Sequence, residues 1–175
     1  SRRLEESEYD WKTLPREVAD RWVEECLDSL TVDYGNTVLN STARNAYMVR
    51  RMKRILKRTV WALGEQIRKG LFTPENYEIS FSSVSDLDAV NIELSPEEKL
   101  RLRGRIDRVD TCEDENHVYV KVIDYKSGNT SFQLLSFYHG LQLQLVVYMD
   151  AAVEMEERRN PDKEVVPAGI FYYHI

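Results

Sequence analysis

Cysteines and long apolar runs are both scarce in this chain, and each absence excludes a class of protein. The two cysteines, Cys26 and Cys112, lie far apart in the sequence and match no metal-ligand spacing. We therefore interpret them as reduced thiols of a cytoplasmic protein rather than as a disulfide framework. No apolar run approaches the roughly 20 residues that a membrane-spanning helix needs. The first residues also lack the apolar segment of a signal peptide, so we expect neither feature.

The length and composition are those of a globular domain. The 175 residues are 42% apolar and 31% charged, which is ordinary for a folded domain with its own core. We expect residues 1–175 to form a single domain. Because the last segment, 169–175, resembles a strand with no closing element after it, we also expect the chain to be a piece of a larger protein.

Charge is unevenly distributed along the chain. The formal net charge of −6 argues against a polyanionic partner, but nine basic residues and one acid lie between Arg44 and Lys69. That segment carries +8 and the remainder carries −14. A basic surface on an acidic body is compatible with phosphate binding. It is equally compatible with a solvated helix face or with docking on another domain.

Hydrophobic periodicity predicts an α/β (α+β) fold in which helices pack on a mixed sheet. Helices are predicted over 15–30, from Ser41 or Thr42 to Gly70, and from Gly140 to Arg159. Strands are predicted over 77–81, 100–107, 118–126 and 169–175, with a polar, turn-like segment at 86–96. In the second helix the predicted apolar stripe is Met48, Met52, Ile55, Leu56, Leu63 and Ile67.

Charged residues end the third predicted strand. Asp124 and Lys126 are two residues apart, so both side chains should lie on the face that carries Val118, Val120 and Val122. Asp107, on the neighbouring strand of a predicted hairpin, should lie close to Asp124. Two converging carboxylates repel each other unless a cation lies between them. A structural Asp–Lys pair at the sheet edge is the alternative.

Two further features favour a metal site. The backbone carbonyl of Tyr125 is an additional oxygen ligand for a hard cation. Gln144 and Tyr148 are four residues apart on a predicted apolar helix, hence on one face, where buried polar groups need partners. We therefore expect this pair to supply hydrogen bonds at the same sheet edge.

Three segments, read in order, resemble the RecB-family signature of PD-(D/E)xK nucleases. They are GRIDRVD at 104–110, VIDYKSG at 122–128 and GLQLQLVVY at 140–148. They correspond to G-x-x-D-R-[IV]-D, D-Y-K-[ST]-G and Q-x-x-x-Y; each motif alone is weak, but the ordered set is specific. The form of the third motif and the closing PAGIFYYHI are similar to the nuclease domains of AddB subunits of bacterial helicase–nucleases.

This resemblance implies a restriction-endonuclease-like fold and a DNA exonuclease. Asp107, Asp124 and the Tyr125 carbonyl would bind Mg²⁺, for which Mn²⁺ can substitute, and Lys126 would orient the attacking water. Gln144 and Tyr148 would hold the site or the DNA backbone. The reaction would be in-line attack of water on a phosphodiester, assisted by the cation as a Lewis acid. The parent would be an ATP-dependent helicase–nuclease that pairs with an AddA-type subunit and processes double-strand breaks for recombinational repair.

Two family features are absent from the sequence. Relatives carry a G-x-x-x-H segment upstream, and His117, His139 and His174 are all wrongly placed for it. AddB-type domains also hold a 4Fe-4S cluster, which neither Cys26 nor Cys112 fits, so we expect none in this chain. Both absences leave open whether the chain is active alone.

Other candidates and functions remain open at this stage. Glu78 is a candidate third carboxylate or a solvated strand residue. Arg105 and Arg108 flank Asp107 and are candidates for phosphate contacts or for ion pairs with Asp110 or Glu113. Further candidate DNA contacts on the basic helix are Arg51, Arg54 and Arg58. The functional alternatives are a non-catalytic DNA-binding or assembly module with a nuclease fold and a free-standing RecB-like exonuclease.

Overall fold

The computed structural model describes residues 2–33, 42–81, 91–95, 98–101, 103–128, 135 and 143–174. The chain divides into two compact units, Ser1–Leu71 and Phe72–Ile175. The first is helical, and the second contains the sheet and one long helix. None of the helices in the described ranges is long and apolar enough to cross a membrane.

The helical unit contains three helices: α1 (Arg2–Glu5), α2 (Arg16–Asp33) and α3 (Ala43–Lys69). Thr42 caps α3, because its side-chain oxygen accepts a 3.2 Å hydrogen bond from the N–H of Asn45, and Gly70 ends the helix. The two predicted long helices are therefore confirmed; Ser41 lies outside the described residues. The short α1 was not predicted.

Helices α2 and α3 pack through a small apolar core and through ion pairs between their side chains. Lys53 lies 2.6 Å from Asp28, and Lys57 lies 2.6 Å from Glu24. The buried apolar side chains of the unit are Ala19, Leu27, Leu63 and Ile67. The predicted apolar stripe of α3 is wrong in its first half. Within this unit Met48, Met52 and Ile55 are 50%, 49% and 39% exposed, because the core side chains of α3 lie towards its C-terminal end.

The second unit is built on a four-stranded mixed sheet in the order β1 (Thr73–Phe81), β4 (Gly104–Glu113), β5 (His117–Lys126) and β6 (Glu164–His174). The first three strands pair antiparallel, whereas β6 pairs parallel with β5. Helix α4 (Gln144–Arg159) connects β5 to β6. The mixed sheet with α4 packed on it confirms the predicted α/β fold.

A separate hairpin corrects the strand assignment between β1 and β4. Strand β2 (Asn91–Ser95) lies inside the segment predicted to be turn-like and pairs with β3 (Glu98–Arg101). The predicted strand 100–107 is in fact two strands, since β3 ends at Arg101 and β4 begins at Gly104. Apolar and charged residues alternate across 100–107 in the sequence. This two-residue period therefore could not reveal that β3 pairs with β2 whereas β4 pairs with β1.

The core of this unit lies between the sheet and α4. Val118, Val120 and Val122 of β5 are completely buried, together with Leu145 and Ala151 of α4. The alternation of valines is what a strand with one covered face requires. The same face of β5 continues to Asp124 and Lys126, so the core directs this strand end towards the candidate site.

The β4–β5 turn is closed by one carboxylate. Asp114 Oδ1 accepts hydrogen bonds from the N–H groups of Asn116 and His117, at 2.9 and 2.7 Å. These bonds, the one from Asn116 above all, lower the pKa of Asp114 to about 2. The turn fixes the hairpin register, which reaches Arg108 opposite Ile123.

Candidate active site

The covered face of β5 changes from apolar to charged at Asp124. Asp124 is only 4% exposed, although it follows three fully buried valines at alternate positions. The ammonium of Lys126, two residues later on the same face, lies 2.6 Å from Asp124 Oδ2. A buried carboxylate is costly unless a cation compensates for it, so Lys126 stabilises Asp124 in the absence of another cation.

The hydrogen-bonding capacity of this carboxylate is incompletely used. Asp124 Oδ2 is buried and accepts no hydrogen bond of ordinary geometry from the residues that the structure describes; its close cationic neighbour is the ammonium of Lys126. The pKa of Lys126 is raised, chiefly by its close contact with Asp124 and more weakly by Asp107. Lys126 is therefore fully protonated near neutral pH.

Asp107 lies at the corresponding end of β4. Asp107 and Asp124 are the next residues after the last register pair, Arg108 opposite Ile123. Residues opposite each other in an antiparallel pair share a face of the sheet. Asp107 Oδ2 accepts a 2.9 Å hydrogen bond from the backbone N–H of Tyr125. The two predicted carboxylates thus lie at one hairpin end, with Lys126 beside them.

The opposite face of the hairpin holds a buried network that was not predicted to be part of the site. Arg108, 2% exposed, donates from Nη2 to Asp110 Oδ2 at 2.7 Å, and Lys121 lies 2.8 Å from the same oxygen. Arg108 Nη1 also donates to the phenol oxygen of Tyr125 at 3.1 Å. The network therefore fixes the residue whose N–H holds Asp107. The signal in the sequence was the pair Arg108 and Asp110, two residues apart on one face.

This burial corrects one predicted DNA contact. Arg108 was a candidate for phosphate binding, but its guanidinium is used by Asp110 and Tyr125 and is inaccessible to a DNA backbone. The alternative ion pair with Asp110 is the one that forms. Arg105, near the start of β4, is 61% exposed and lies 2.8 Å from the equally exposed Glu78. The ion pair with Arg105 occupies the Glu78 carboxylate.

Gln144 and Tyr148 form the predicted pair on α4. Gln144 Nε2 donates to the phenol oxygen of Tyr148 at 2.8 Å. Tyr148 is 6% exposed and belongs to the same buried cluster as Val122, which stands two residues before Asp124 on β5. The pair is therefore anchored by the core of the sheet unit, with Gln144 exposed in the first turn of the helix.

The donor set is suited to a hard divalent cation. Asp107 and Asp124 supply carboxylate oxygens, the Tyr125 carbonyl lies between Asp124 and Lys126 in sequence, and Asp124 Oδ2 is buried. Oxygen ligands of this kind fit Mg²⁺. Within the described ranges no group of three or more His, Cys, Asp or Glu side chains suited to a metal occurs.

Comparison with known proteins agrees with this arrangement. The family model described as the PD-(D/E)XK nuclease superfamily matches residues 3–175. The chain belongs to that superfamily. The match covers both carboxylates and Lys126, so the RecB-type resemblance of the motifs is confirmed at the level of the superfamily.

This superfamily member is similar along its full length to parts of larger enzymes. It is 43% identical over 175 residues to the B-type subunit of the ATP-dependent helicase/deoxyribonuclease of Alkaliphilus oremlandii, covering 100% of the chain and 15% of that protein. The corresponding protein of Lachnoclostridium phytofermentans is also 43% identical, with 100% and 14% covered. That of Alkaliphilus metalliredigens is 45% identical over 169 residues, with 96% and 15% covered. The chain thus spans about one seventh of these relatives' length.

The remaining predicted DNA contacts lie on α3 of this nuclease-superfamily chain. Arg54 and Arg58 line a groove between α2 and α3, together with Arg50. Arg51 is exposed but does not line that groove. The sequence identified the basic helix, but assigning each arginine to a side of it required the position of α2.

Proposed function

We propose that this chain is a Mg²⁺-dependent deoxyribonuclease domain that acts as an exonuclease within a larger helicase–nuclease. One observation carries the proposal: Asp124 is buried beside Lys126 at the hairpin end where Asp107 also lies, and no described residue other than Lys126 lies close to its Oδ2 as a donor. A structural salt bridge does not require a second carboxylate held in place by a backbone N–H.

The residues that would hold the cation are Asp107, Asp124 and the carbonyl of Tyr125. When bound, Mg²⁺ supplies Lewis-acid polarisation of a phosphodiester oxygen and lowers the pKa of water. The Tyr125 N–H holds the Asp107 carboxylate in place through Oδ2. The Arg108 contact to the Tyr125 phenol restrains the same residue from the opposite face of the sheet.

Lys126 supplies the positive charge of the site. Because its pKa is raised by Asp124, the ammonium stays charged throughout the neutral range. It can donate to a non-bridging phosphoryl oxygen and stabilise the negative charge that develops during in-line attack by water. Gln144 and Tyr148, joined by a 2.8 Å hydrogen bond, would orient the site or the DNA backbone.

The cellular role follows from the relatives and remains part of the proposal. Those relatives are named as subunits of an ATP-dependent helicase/deoxyribonuclease. We propose that this domain degrades DNA that the helicase unwinds at double-strand breaks, in recombinational repair, with an AddA-type protein as partner. The resemblance implies a 4Fe-4S cluster for the parent protein, and the proposal for this chain does not include that cluster.

The test is cation-dependent degradation of linear single-stranded DNA by the chain, with Mg²⁺ and then Mn²⁺. Lys126→Ala and Asp124→Ala should each lower the rate by about 100-fold or more, since each removes charge from the transition state. Lys163→Ala is the matched control, because Lys163 pairs with Glu113 at the turn end of the hairpin, 2.8 Å away. Undiminished degradation in both site variants would reject catalysis and favour a non-catalytic DNA-binding module.

A further inference from the structure

A basic groove runs between α2 and α3, within the helical unit and separate in sequence from the proposed active site. Its volume is about 590 Å³. Six basic and two acidic side chains line it, together with one aromatic ring: Arg16, Arg50, Lys53, Arg54, Lys57, Arg58, Asp20, Glu24 and Trp61. We propose that this groove binds single-stranded DNA through the arginines of α3.

Ion pairing separates the lysines of the groove from its arginines. Lys53 and Lys57 are neutralised by Asp28 and Glu24 of α2, each at 2.6 Å. Arg50, Arg54 and Arg58 are exposed and form no ion pair with any residue that the structure describes. The lysine pairs hold the two helices together, and the three arginines remain available for an anionic ligand.

The arginines have a regular spacing. Arg50, Arg54 and Arg58 follow one another at four-residue intervals, so they form a row along one side of α3 with steps of about 6 Å along the axis. Successive phosphates of an extended nucleic-acid strand are separated by a similar distance. Guanidinium groups bind phosphate oxygens in bidentate geometry, so the row can contact consecutive phosphates.

An aromatic ring lies at the C-terminal end of this row. Trp61 is 42% exposed, and the guanidinium of Arg16 lies 5.3 Å from its ring centre. Tyr47, 53% exposed, stands one helical turn before Arg50. Exposed aromatic rings beside a basic track are how proteins bind single strands, because unpaired bases stack on them.

The combination favours a single strand over the other polyanionic partners. Bases in a duplex are already stacked and cannot use the face of Trp61. An acidic protein surface would satisfy the arginines, but it would require neither their regular spacing nor an aromatic ring at the end of the row. The groove would hold the strand independently of the metal site. The proposed binding of a single strand rests on the proposed function only in taking DNA as the ligand.

The experiment is fluorescence anisotropy of a labelled oligothymidylate with the whole chain, in EDTA so that no degradation occurs. Replacing Arg50, Arg54 and Arg58 together by alanine should weaken binding at least about tenfold. It should also reduce the slope of log K against log salt by about 2, as expected for three lost phosphate contacts on a single strand. The matched control replaces Arg44, Arg51 and Lys69, which are exposed on the same helix but outside the groove.

A second readout follows the aromatic ring. Saturating oligothymidylate should quench tryptophan fluorescence, and Trp61→Phe should abolish the quenching while circular dichroism stays unchanged.

Equal weakening by both triple variants, or quenching that persists in Trp61→Phe, would overturn the groove assignment. Equally tight binding of a duplex would overturn the preference for a single strand. Absence of binding at low salt would reject DNA altogether and favour an acidic protein partner. Binding is measured in EDTA and degradation in Mg²⁺, so failure of the groove proposal and failure of the nuclease proposal are distinguishable.

Discussion

The backbone N–H of Tyr125 donates a 2.9 Å hydrogen bond to Oδ2 of Asp107. This bond joins the ends of β4 and β5 at the level of Asp124, beyond the last register pair of the hairpin. It converts two strands that could separate at their ends into one platform for two carboxylates. The geometry of Asp107 therefore depends on the backbone of β5, so the proposed cation site requires both strands.

Divalent cations should stabilise the chain through this platform. A ligand at about 100 times its dissociation constant stabilises a fold by about 2.7 kcal/mol, because it binds only the folded state. For a chain of this size we expect the melting temperature to rise by several degrees in Mg²⁺. Asp107→Asn and Asp124→Asn should each abolish the rise, measured by differential scanning calorimetry with and without EDTA.

The control for that measurement is Asp150→Asn, an exposed carboxylate on α4. It changes the net charge by the same amount but leaves the hairpin end intact. A cation-dependent rise that survives in both site variants and in the control would mean that Mg²⁺ binds elsewhere. The metal-site assignment would then be wrong, even if the chain degrades DNA.

Removing one partner of the buried Arg108–Asp110 pair should strongly destabilise the sheet unit. Arg108→Ala would leave Asp110 buried with Lys121 alone, and breaking a buried pair costs about 3–5 kcal/mol. Replacing both residues together, by Met and Leu, should restore much of that loss because no buried carboxylate is left uncompensated. Urea unfolding of the two variants measures the difference.

Arg105→Ala is the matched control, since Arg105 is 61% exposed and its partner Glu78 is equally exposed. Exposed pairs contribute about 0–1 kcal/mol, so this variant should unfold close to the wild type. If Arg108→Ala were equally mild, the buried network would not be what holds Tyr125. If Arg108→Ala folds, its loss of activity should exceed that of Arg105→Ala, because the phenol of Tyr125 loses its donor.

The candidate site could be predicted from sequence because its residues have fixed local relationships. Asp124 and Lys126 share a face by strand alternation, and Gln144 and Tyr148 share one by helical spacing. Asp107 required only a hairpin between neighbouring strands. Each relationship depends on a period of two or four residues, which the sequence displays directly.

What could not be predicted depends on partners distant in sequence. The hairpin of β2 and β3 interrupts an alternating pattern without changing it, so one predicted strand proved to be two. Met48 and Met52 continue the apolar stripe of α3 yet are about half exposed, because the described core of that unit lies towards the other end of the helix. Arg108 is a basic residue next to Asp107, which made it a candidate DNA contact. Only the positions of Asp110 and Tyr125 reveal its structural role.

Glu156 should make the sheet unit less stable as pH rises. Burial raises the pKa of this carboxyl, and nearby Glu75 adds to the effect, while Arg159 at 2.9 Å opposes it. A carboxyl with a raised folded-state pKa contributes its full stability below the unfolded value of 4.5 and loses it as pH rises through the folded value. Glu156→Gln should therefore gain stability relative to the wild type above that window and match it below.

The control for Glu156 is Glu157→Gln, its exposed neighbour on α4. Both variants remove one negative charge, so a difference between them isolates burial. Urea unfolding from pH 4 to pH 7 follows the free energy of unfolding through the titration. If the free energy difference between Glu156→Gln and the wild type stays constant over this range, Arg159 fully compensates the buried charge.

Asp114 should have the opposite pH dependence at the other end of the hairpin. Its pKa is lowered from 3.8 to about 2, first by the N–H of Asn116 and then by that of His117. A carboxyl with a lowered folded-state pKa contributes stability that is complete above the unfolded value and is lost as pH falls through the folded one. The wild type should therefore lose stability between about pH 4 and pH 2 more steeply than Asp114→Ala. The two curves should converge below pH 2.

Urea unfolding across pH 2–6 tests this, with Glu115→Ala as the control in the same turn, because Glu115 is exposed and the turn hydrogen bonds belong to Asp114. Parallel curves for wild type and Asp114→Ala would mean that the turn forms without the charged carboxylate.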